Sequence, residues 1–214
     1  MELYLNTVSD LLWNTLTFLM KEEAFKPFRI VGGTSLSLQL GHRESVDIDL
    51  FTDAEYGSLN FMEIEEILTK SFTYVDKSSI DMVGLGKSYF IGNSKNDAVK
   101  LDLFYTDTFV FPIIKEQGIR FSSIEEIAAM KLEVISNNGR KKDFWDLHEL
   151  LDTFTLEELL SFYEKRYPYG KSRDEVIEQL INFSEAENDF TPICYRDKDW
   201  EIIKLDFEDL INNT

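Results

Sequence analysis

The chain has 214 residues, 43% of them hydrophobic and 14% aromatic, which suits one large domain or two small ones and excludes a disordered polymer. A formal charge of −18 excludes bulk attraction to nucleic acid, so any phosphate must be met by a local basic site or by metal ions. The lone Cys194 excludes an internal disulfide framework, and no apolar run reaches the roughly 18 residues of a membrane span. The N-terminus lacks the basic and small-residue pattern of a signal peptide, so a cytoplasmic protein is expected.

Residues 4–23 carry Leu5, Val8, Leu12, Leu16 and Leu19 at helical spacing. Phe28 to Val31 reads as a strand broken by Gly32-Gly33, Thr34 to Leu40 as a short helix, and Ser45 to Thr52 as a second strand. A helix over 61–70 precedes three stretches rich in β-branched and aromatic residues, 72–79, 82–91 and 98–106. Ser122-Ser123 followed by Glu125-Glu126 is a capping signal for a helix to about Ser136. Helices over 142–152, 155–166 and 173–183 follow, the last two with Thr155…Glu158 and Ser172…Glu175 as start signals. The acidic, aromatic stretch 185–214 has no clear period. The pattern predicts an α+β fold: a mixed β-sheet with flanking helices over 1–120 and a mainly helical part over 121–214 packed on it.

Asp47 and Asp49 stand two apart in a strand and so share a face, opposite an apolar set of Val46, Ile48 and Leu50. Alone, this is an amphipathic strand with its acids in water. Three neighbours argue for more. Gly32-Gly33 lies between a strand and a helix start, where glycines admit a ligand to the backbone and free N–H groups suit a phosphate. Asp102 repeats the acid-among-leucines pattern between Leu101 and Leu103, and carboxylates on adjacent strands repel unless a cation sits among them. Mg²⁺ favours such oxygen ligands. Lys131 and Asp143 fall within the apolar arcs of their helices, with Asp146 at the edge. A structural Lys131–Asp143 or Lys131–Asp146 ion pair and a place in a substrate site both account for that, since unpaired buried charge is costly.

These residues together resemble the nucleotidyltransferase superfamily, the polymerase β-like fold. Its signature is Gly-Gly or Gly-Ser, a spacer, then acid-hydrophobic-acid-hydrophobic. Here Val31-Gly32-Gly33 is followed by residues 34–46 and by Asp47-Ile48-Asp49-Leu50. Within it, "VGGTSLSLQLGHRESVDIDLF" and "IAAMKLEVISNNGRKKDFWDLHELL" look like the AbiEii/AbiGii toxin family of bacterial nucleotidyltransferases. The resemblance implies that Gly32, Gly33, Thr34 and Ser35 lie at the nucleotide phosphates. It implies Asp47, Asp49 and Asp102 as ligands of Mg²⁺ (or Mn²⁺), with Asp102 also placed to take the proton of an incoming hydroxyl. Lys131 and Asp143 or Asp146 would complete the nucleotide pocket. Where many relatives have Gly-Ser, this chain has Gly-Gly followed by Thr34-Ser35, so a hydroxyl is still present.

The implied activity is Mg²⁺-dependent transfer of an NMP from ATP, GTP, CTP or UTP to an acceptor: tRNA, another nucleic acid or a protein. The implied setting is a toxin–antitoxin pair or phage defence, with a cognate antitoxin as partner and no membrane. His42-Arg43 and Arg140-Lys141-Lys142 form a local basic group for the triphosphate or a polynucleotide, and a solvated loop is the plainer account of Lys141. The alternative is a protein of the same fold that binds nucleotide or a partner without turnover. A haloacid-dehalogenase-type phosphatase is disfavoured by Phe51, where Thr or Val is wanted. An EF-hand is disfavoured by Ile48 and Leu50 between the acids, and a Ser/His/Asp hydrolase by the lack of a G-x-S-x-G motif.

Overall fold

The structure is a computed structural model that describes residues 2–77 and 84–212. Its helices are α1 (Asp10–Leu19), α2 (Gly32–Leu40), α3 (Phe61–Ser71), α4 (Ile124–Ser136), α5 (Lys141–Leu150), α6 (Leu156–Arg166), α7 (Arg173–Leu180) and α8 (Trp200–Asn212). Its strands are β1 (Arg29–Ile30), β2 (Asp47–Thr52), β3 (Tyr74–Lys77), β4 (Gly86–Ser94), β5 (Asp97–Tyr105), β6 (Ile113–Glu116) and β7 (Ile119–Ser122). The strands form one mixed sheet in the order β3-β4-β5-β2-β1-β7-β6. β2 runs parallel to β5 and β1 parallel to β7, and the other neighbours are antiparallel. No helix among the described residues is long and apolar enough to cross a membrane.

Two apolar clusters divide the interior. The first joins Leu12, Leu16 and Leu19 of α1 and Ile64 and Leu68 of α3 to the sheet face that carries Ile48, Leu50, Leu101 and Leu103. The second joins Leu36 of α2 to Ile127 and Leu132 of α4, Phe144 and Leu147 of α5, Leu159 of α6 and Ile203 and Phe207 of α8. The expected division after residue 120 falls inside β7. The change of core follows Ser123, whose side chain caps α4 by accepting from Glu126 N. Leu36 belongs with the helical half although it lies early in the chain, so α2 is shared between the two halves.

Several expected elements differ in detail. The helix expected over 4–23 is split, because Ser9 accepts from Leu12 N and starts α1 there, leaving a 3-10 turn at Leu5–Thr7. Gly32 and Gly33 do not stand outside the next helix; they are its first residues. β2 starts at Asp47, and Val46 lies before it, 61% exposed, so Val46 is not part of the apolar face. The expected strands 72–79 and 82–91 are found as β3 and β4, and residues 78, 79, 82 and 83 lie outside the described residues. The β6–β7 hairpin adds two strands beyond the expected ones. Its Gln117-Gly118 turn, both residues at positive φ, lies between Ile-rich runs and is the two-residue hairpin signal.

The stretch 185–214 also gains structure. Trp200 opens α8 and stacks on Trp145, with ring centroids 6.2 Å apart, while Phe144 meets Phe183, Trp200 and Phe207. Before α8, the chain returns to the start of the acid strand. Tyr195 N donates to His42 O, and Glu44 N donates to Ile193 O.

A second buried pairing ties the loop after β5 to the helices. Arg166 Nε lies 2.6 Å from Glu126 Oε1, and both side chains are fully buried. The other oxygen of Glu126 accepts from the backbone N–H groups of Val110 and Phe111. Arg166 donates to the carbonyls of Asp107 and Thr108. The chain leaving the Asp102 strand is thereby held to α4 and α6.

Candidate active site

β2 alternates half-buried Asp47 and Asp49 with buried Ile48 and Leu50. The apolar set enters the first core, which turns the acids to the opposite face, towards α5. In the parallel pairing of β2 with β5, Asp49 stands beside Asp102 and Asp47 beside Lys100. Lys100 Nζ lies 2.6 Å from Asp102 Oδ2, and Lys142 Nζ of α5 lies 3.4 Å from Asp47 Oδ2. Asp102 Oδ1 is buried with no hydrogen-bond partner. Burial, then the neighbouring Asp102 and Asp47 charges, pushes Asp49 up to about 6, against the pull of Lys142 and Lys131.

The glycine turn packs directly on these acids. Val31 N donates to Asp49 O at 2.9 Å. Gly32 has φ +68°, a left-handed conformation that favours glycine, and a Cβ there would overlap the Asp49 carboxylate. Val31 at the N-cap of α2 makes no side-chain capping hydrogen bond to its first-turn N–H groups. Thr34 and Ser35 are buried. The Thr34 hydroxyl bonds Ser45 Oγ at 2.8 Å and donates to the Asp47 carbonyl, while Ser35 accepts from Gln39 Nε2 through its carbonyl and hydroxyl. Both hydroxyls are thus engaged within the protein, and the backbone is what the turn offers.

Behind the turn lies a closed charge cluster. Asp146, fully buried, accepts from Arg43 Nε at 2.6 Å and Nη2 at 2.7 Å, from His42 Nε2 at 2.7 Å, and pairs with Lys131 Nζ at 2.6 Å. Lys131 also donates to Asp143 Oδ1 at 2.6 Å, and Asp143 Oδ2 accepts from Arg140 N. Burial alone would raise the Asp146 pKa. Arg43, Lys131 and the His42 hydrogen bond overrule it and hold the carboxyl well below the usual range. Asp143 is lowered in the same way, against burial and chiefly by Lys131.

A carboxyl whose folded pKa is depressed stabilises the fold fully above its unfolded value near 4 and loses that contribution as pH falls below it. The stability advantage of the wild type over Asp146→Asn is therefore constant from neutral pH to about pH 5 and shrinks below about pH 4. Urea unfolding at stepped pH measures it.

The family model for the nucleotidyl transferase AbiEii toxin of type IV TA systems matches residues 16–213. The chain belongs to the AbiEii family. An uncharacterized protein of Aquifex aeolicus (strain VF5) is 26% identical to this AbiEii-family chain over 173 residues, 76% of each chain. Among solved structures, JHP933 from Helicobacter pylori aligns with 98% of this chain and 90% of its own, at TM-score 0.61 and 18% identity. The nucleotidyltransferase toxin MenT4 from Mycobacterium tuberculosis H37Rv aligns with 93% of this chain and 80% of its own, at TM-score 0.58 and 14% identity. These two likenesses show that the AbiEii-family chain has the fold expected for it.

Of the residues singled out in the sequence of this AbiEii-family protein, the structure brings Gly32, Asp47, Asp49 and Asp102 to one place on the sheet. Lys131, Asp143 and Asp146 meet as a buried cluster. Arg43, expected at the nucleotide, is 2% exposed and forked onto Asp146. Lys141 is also turned inward, its Nζ 5.3 Å from the Trp200 ring and donating to Glu187 O. Lys142 and Arg140 remain at the rim of a groove of about 490 Å³ that also includes Val46 and Phe190. Two partners escaped the sequence: Lys142 on Asp47 and Arg43 on Asp146. Each joins residues about a hundred positions apart, and no local pattern signals either.

No group of three or more His, Cys, Asp or Glu side chains among the described residues is gathered as a metal cluster. The donor chemistry nonetheless fits a hard divalent cation. Three carboxylates share one sheet face, one buried oxygen of Asp102 has no partner, and the Asp49 charge is disfavoured by burial and then by its acid neighbours.

Proposed function

We propose that the protein transfers a nucleoside monophosphate from an NTP to an acceptor hydroxyl, as the toxin of a toxin–antitoxin pair. The observation that carries this reading is the packing of Gly32 against Asp49, with Asp102 beside Asp49 on the parallel strand. Free helix N–H groups and paired carboxylates then converge on one spot.

The first-turn N–H groups of α2 hold and orient the phosphates. Asp47, Asp49 and Asp102 would hold Mg²⁺ or Mn²⁺, which when bound neutralises charge on the attacking and leaving oxygens. Asp102 stands ready to take the proton of the acceptor hydroxyl. That oxygen forms the new bond to the α-phosphorus as the bond to pyrophosphate breaks. Lys142, 3.4 Å from Asp47, would supply positive charge beside the phosphates. The groove lined by Arg140, Val46 and Phe190 leads an acceptor to this point. Family membership supports a cognate antitoxin, and a cytoplasmic site of action and a role in phage defence accord with it.

Induction in growing bacteria tests the reading. The wild type arrests growth and Asp47→Ala, at equal soluble level, does not. Arrest that persists in Asp47→Ala would detach toxicity from the acids.

A further inference from the structure

Each glycine of the turn has a charged group where its side chain would be. On Gly32 the group is the Asp49 carboxylate; on Gly33 it is Nη2 of Arg43. Unlike Gly32, Gly33 is not in the left-handed region, so its requirement for glycine comes from the guanidinium beside it. Arg43 is 2% exposed and has little freedom. Both oxygens of Asp146 grip its fork, and Nη1 donates to Glu44 O at 2.8 Å. Asp146 is fixed in turn by His42 and by Lys131 of α4. A line of contacts thus runs from α4 through Asp146 of α5 to Arg43 and the first turn of α2.

We propose that Arg43 is the positioning residue of the glycine turn: clamped by Asp146, its guanidinium holds the start of α2 against Asp49 and sets the direction of the N–H groups that meet phosphate. This rests on the reading of that turn as the phosphate contact. It gives the buried cluster a task beyond stability, because the helical half then sets the geometry of the nucleotide site. Lysine at position 43 keeps the charge but loses the planar fork, and its compact head leaves room above Gly33.

The test compares the full-length wild type, Gly33→Ala, Arg43→Lys and the double variant. Binding of ATP, GTP, CTP and UTP with Mg²⁺ is measured by calorimetry, and amide hydrogen exchange at residues 32–36 is measured without nucleotide. Gly33→Ala alone weakens nucleotide binding about tenfold, whereas in the Arg43→Lys background the same alanine costs about twofold or less, the coupling of groups in contact. Exchange at residues 32–36 rises in both single variants while that of α6 is unchanged. In turnover, Arg43→Lys raises the KM for NTP and leaves kcat near the wild-type value.

Independent, additive penalties overturn the proposal, as does a fall in kcat at unchanged KM. If Arg43→Lys does not fold, Gly33→Ala alone decides: raised exchange at residues 32–36 together with 43–45 supports the contact, and unchanged exchange overturns it. If the wild type binds none of the four nucleotides, the proposed function fails, and the exchange measurements still decide whether Arg43 holds the turn.

Discussion

Replacing Asp146 with alanine lowers the unfolding free energy by about 3–5 kcal/mol, the cost of stripping one partner from a buried ion pair. The reason is the number of groups that depend on this one carboxylate. Arg43, Lys131 and His42 all point at it, and all are buried. Without Asp146, Lys131 keeps Asp143, but the Arg43 fork keeps only the Glu44 carbonyl. A buried guanidinium without its carboxylate is the costly species. For a domain whose total stability lies in the usual range of about 5–15 kcal/mol, such a loss consumes a large share of the margin. Thermal and urea unfolding of the purified variant measure it. A change below about 1 kcal/mol, the scale of an exposed pair, would show that the cluster is open to water in solution.

Asp49→Asn has the opposite pairing of effects. Transfer falls by about a thousandfold or more, the scale on which a single preorganised group that meets transition-state charge acts. Stability without divalent metal rises at pH 7. Burial beside Asp102 and Asp47 holds the Asp49 pKa near 6, above its unfolded value near 4. The folded state therefore binds a proton more readily than the unfolded one. The ionised carboxylate opposes folding above about pH 6, and that penalty fades as pH falls through 6 towards 4. Asparagine carries no such charge. Thermal unfolding in chelator at pH 5 and pH 8 shows the gain larger at pH 8. A variant that lost both activity and stability would point to a scaffolding role for the acid instead.

These two carboxylates differ in how openly the sequence displays them. Asp49 and Asp102 alternate with leucines and isoleucines, and the period-2 rule turns that spacing into a shared face. The spacing says nothing of register, and the meeting of Asp49 with Asp102 comes from the parallel pairing of β2 with β5. Asp146, Asp143 and Lys131 were legible as charges out of place on helices, and they do pair. Arg43 reads in sequence as part of a basic group with His42 and Arg140-Lys141-Lys142, yet its carboxylate partner lies 103 residues away. The same limit applied to the tail. α8 is recognisable once Trp200 stacks on Trp145 and Ile203 and Phe207 enter the helical core, but its sequence mixes those anchors with exposed Ile202 and Leu205 and so hides its buried face. The β6–β7 hairpin, by contrast, is encoded locally, by a Gln117-Gly118 turn at positive φ between runs that hold Ile113, Ile114 and Ile119.

In the proposed function, Gly32, Asp47, Asp49 and Asp102 form one metal–nucleotide site that performs transfer. The direct measurement incubates the wild type and Asp49→Asn with each α-³²P-labelled NTP and Mg²⁺, with total RNA and total protein from a bacterial lysate as acceptors. The wild type labels one class of acceptor, and the label is lost with Asp49→Asn and on chelation of Mg²⁺. Absence of label from all four nucleotides on either acceptor pool, or equal label from Asp49→Asn, would contradict that function.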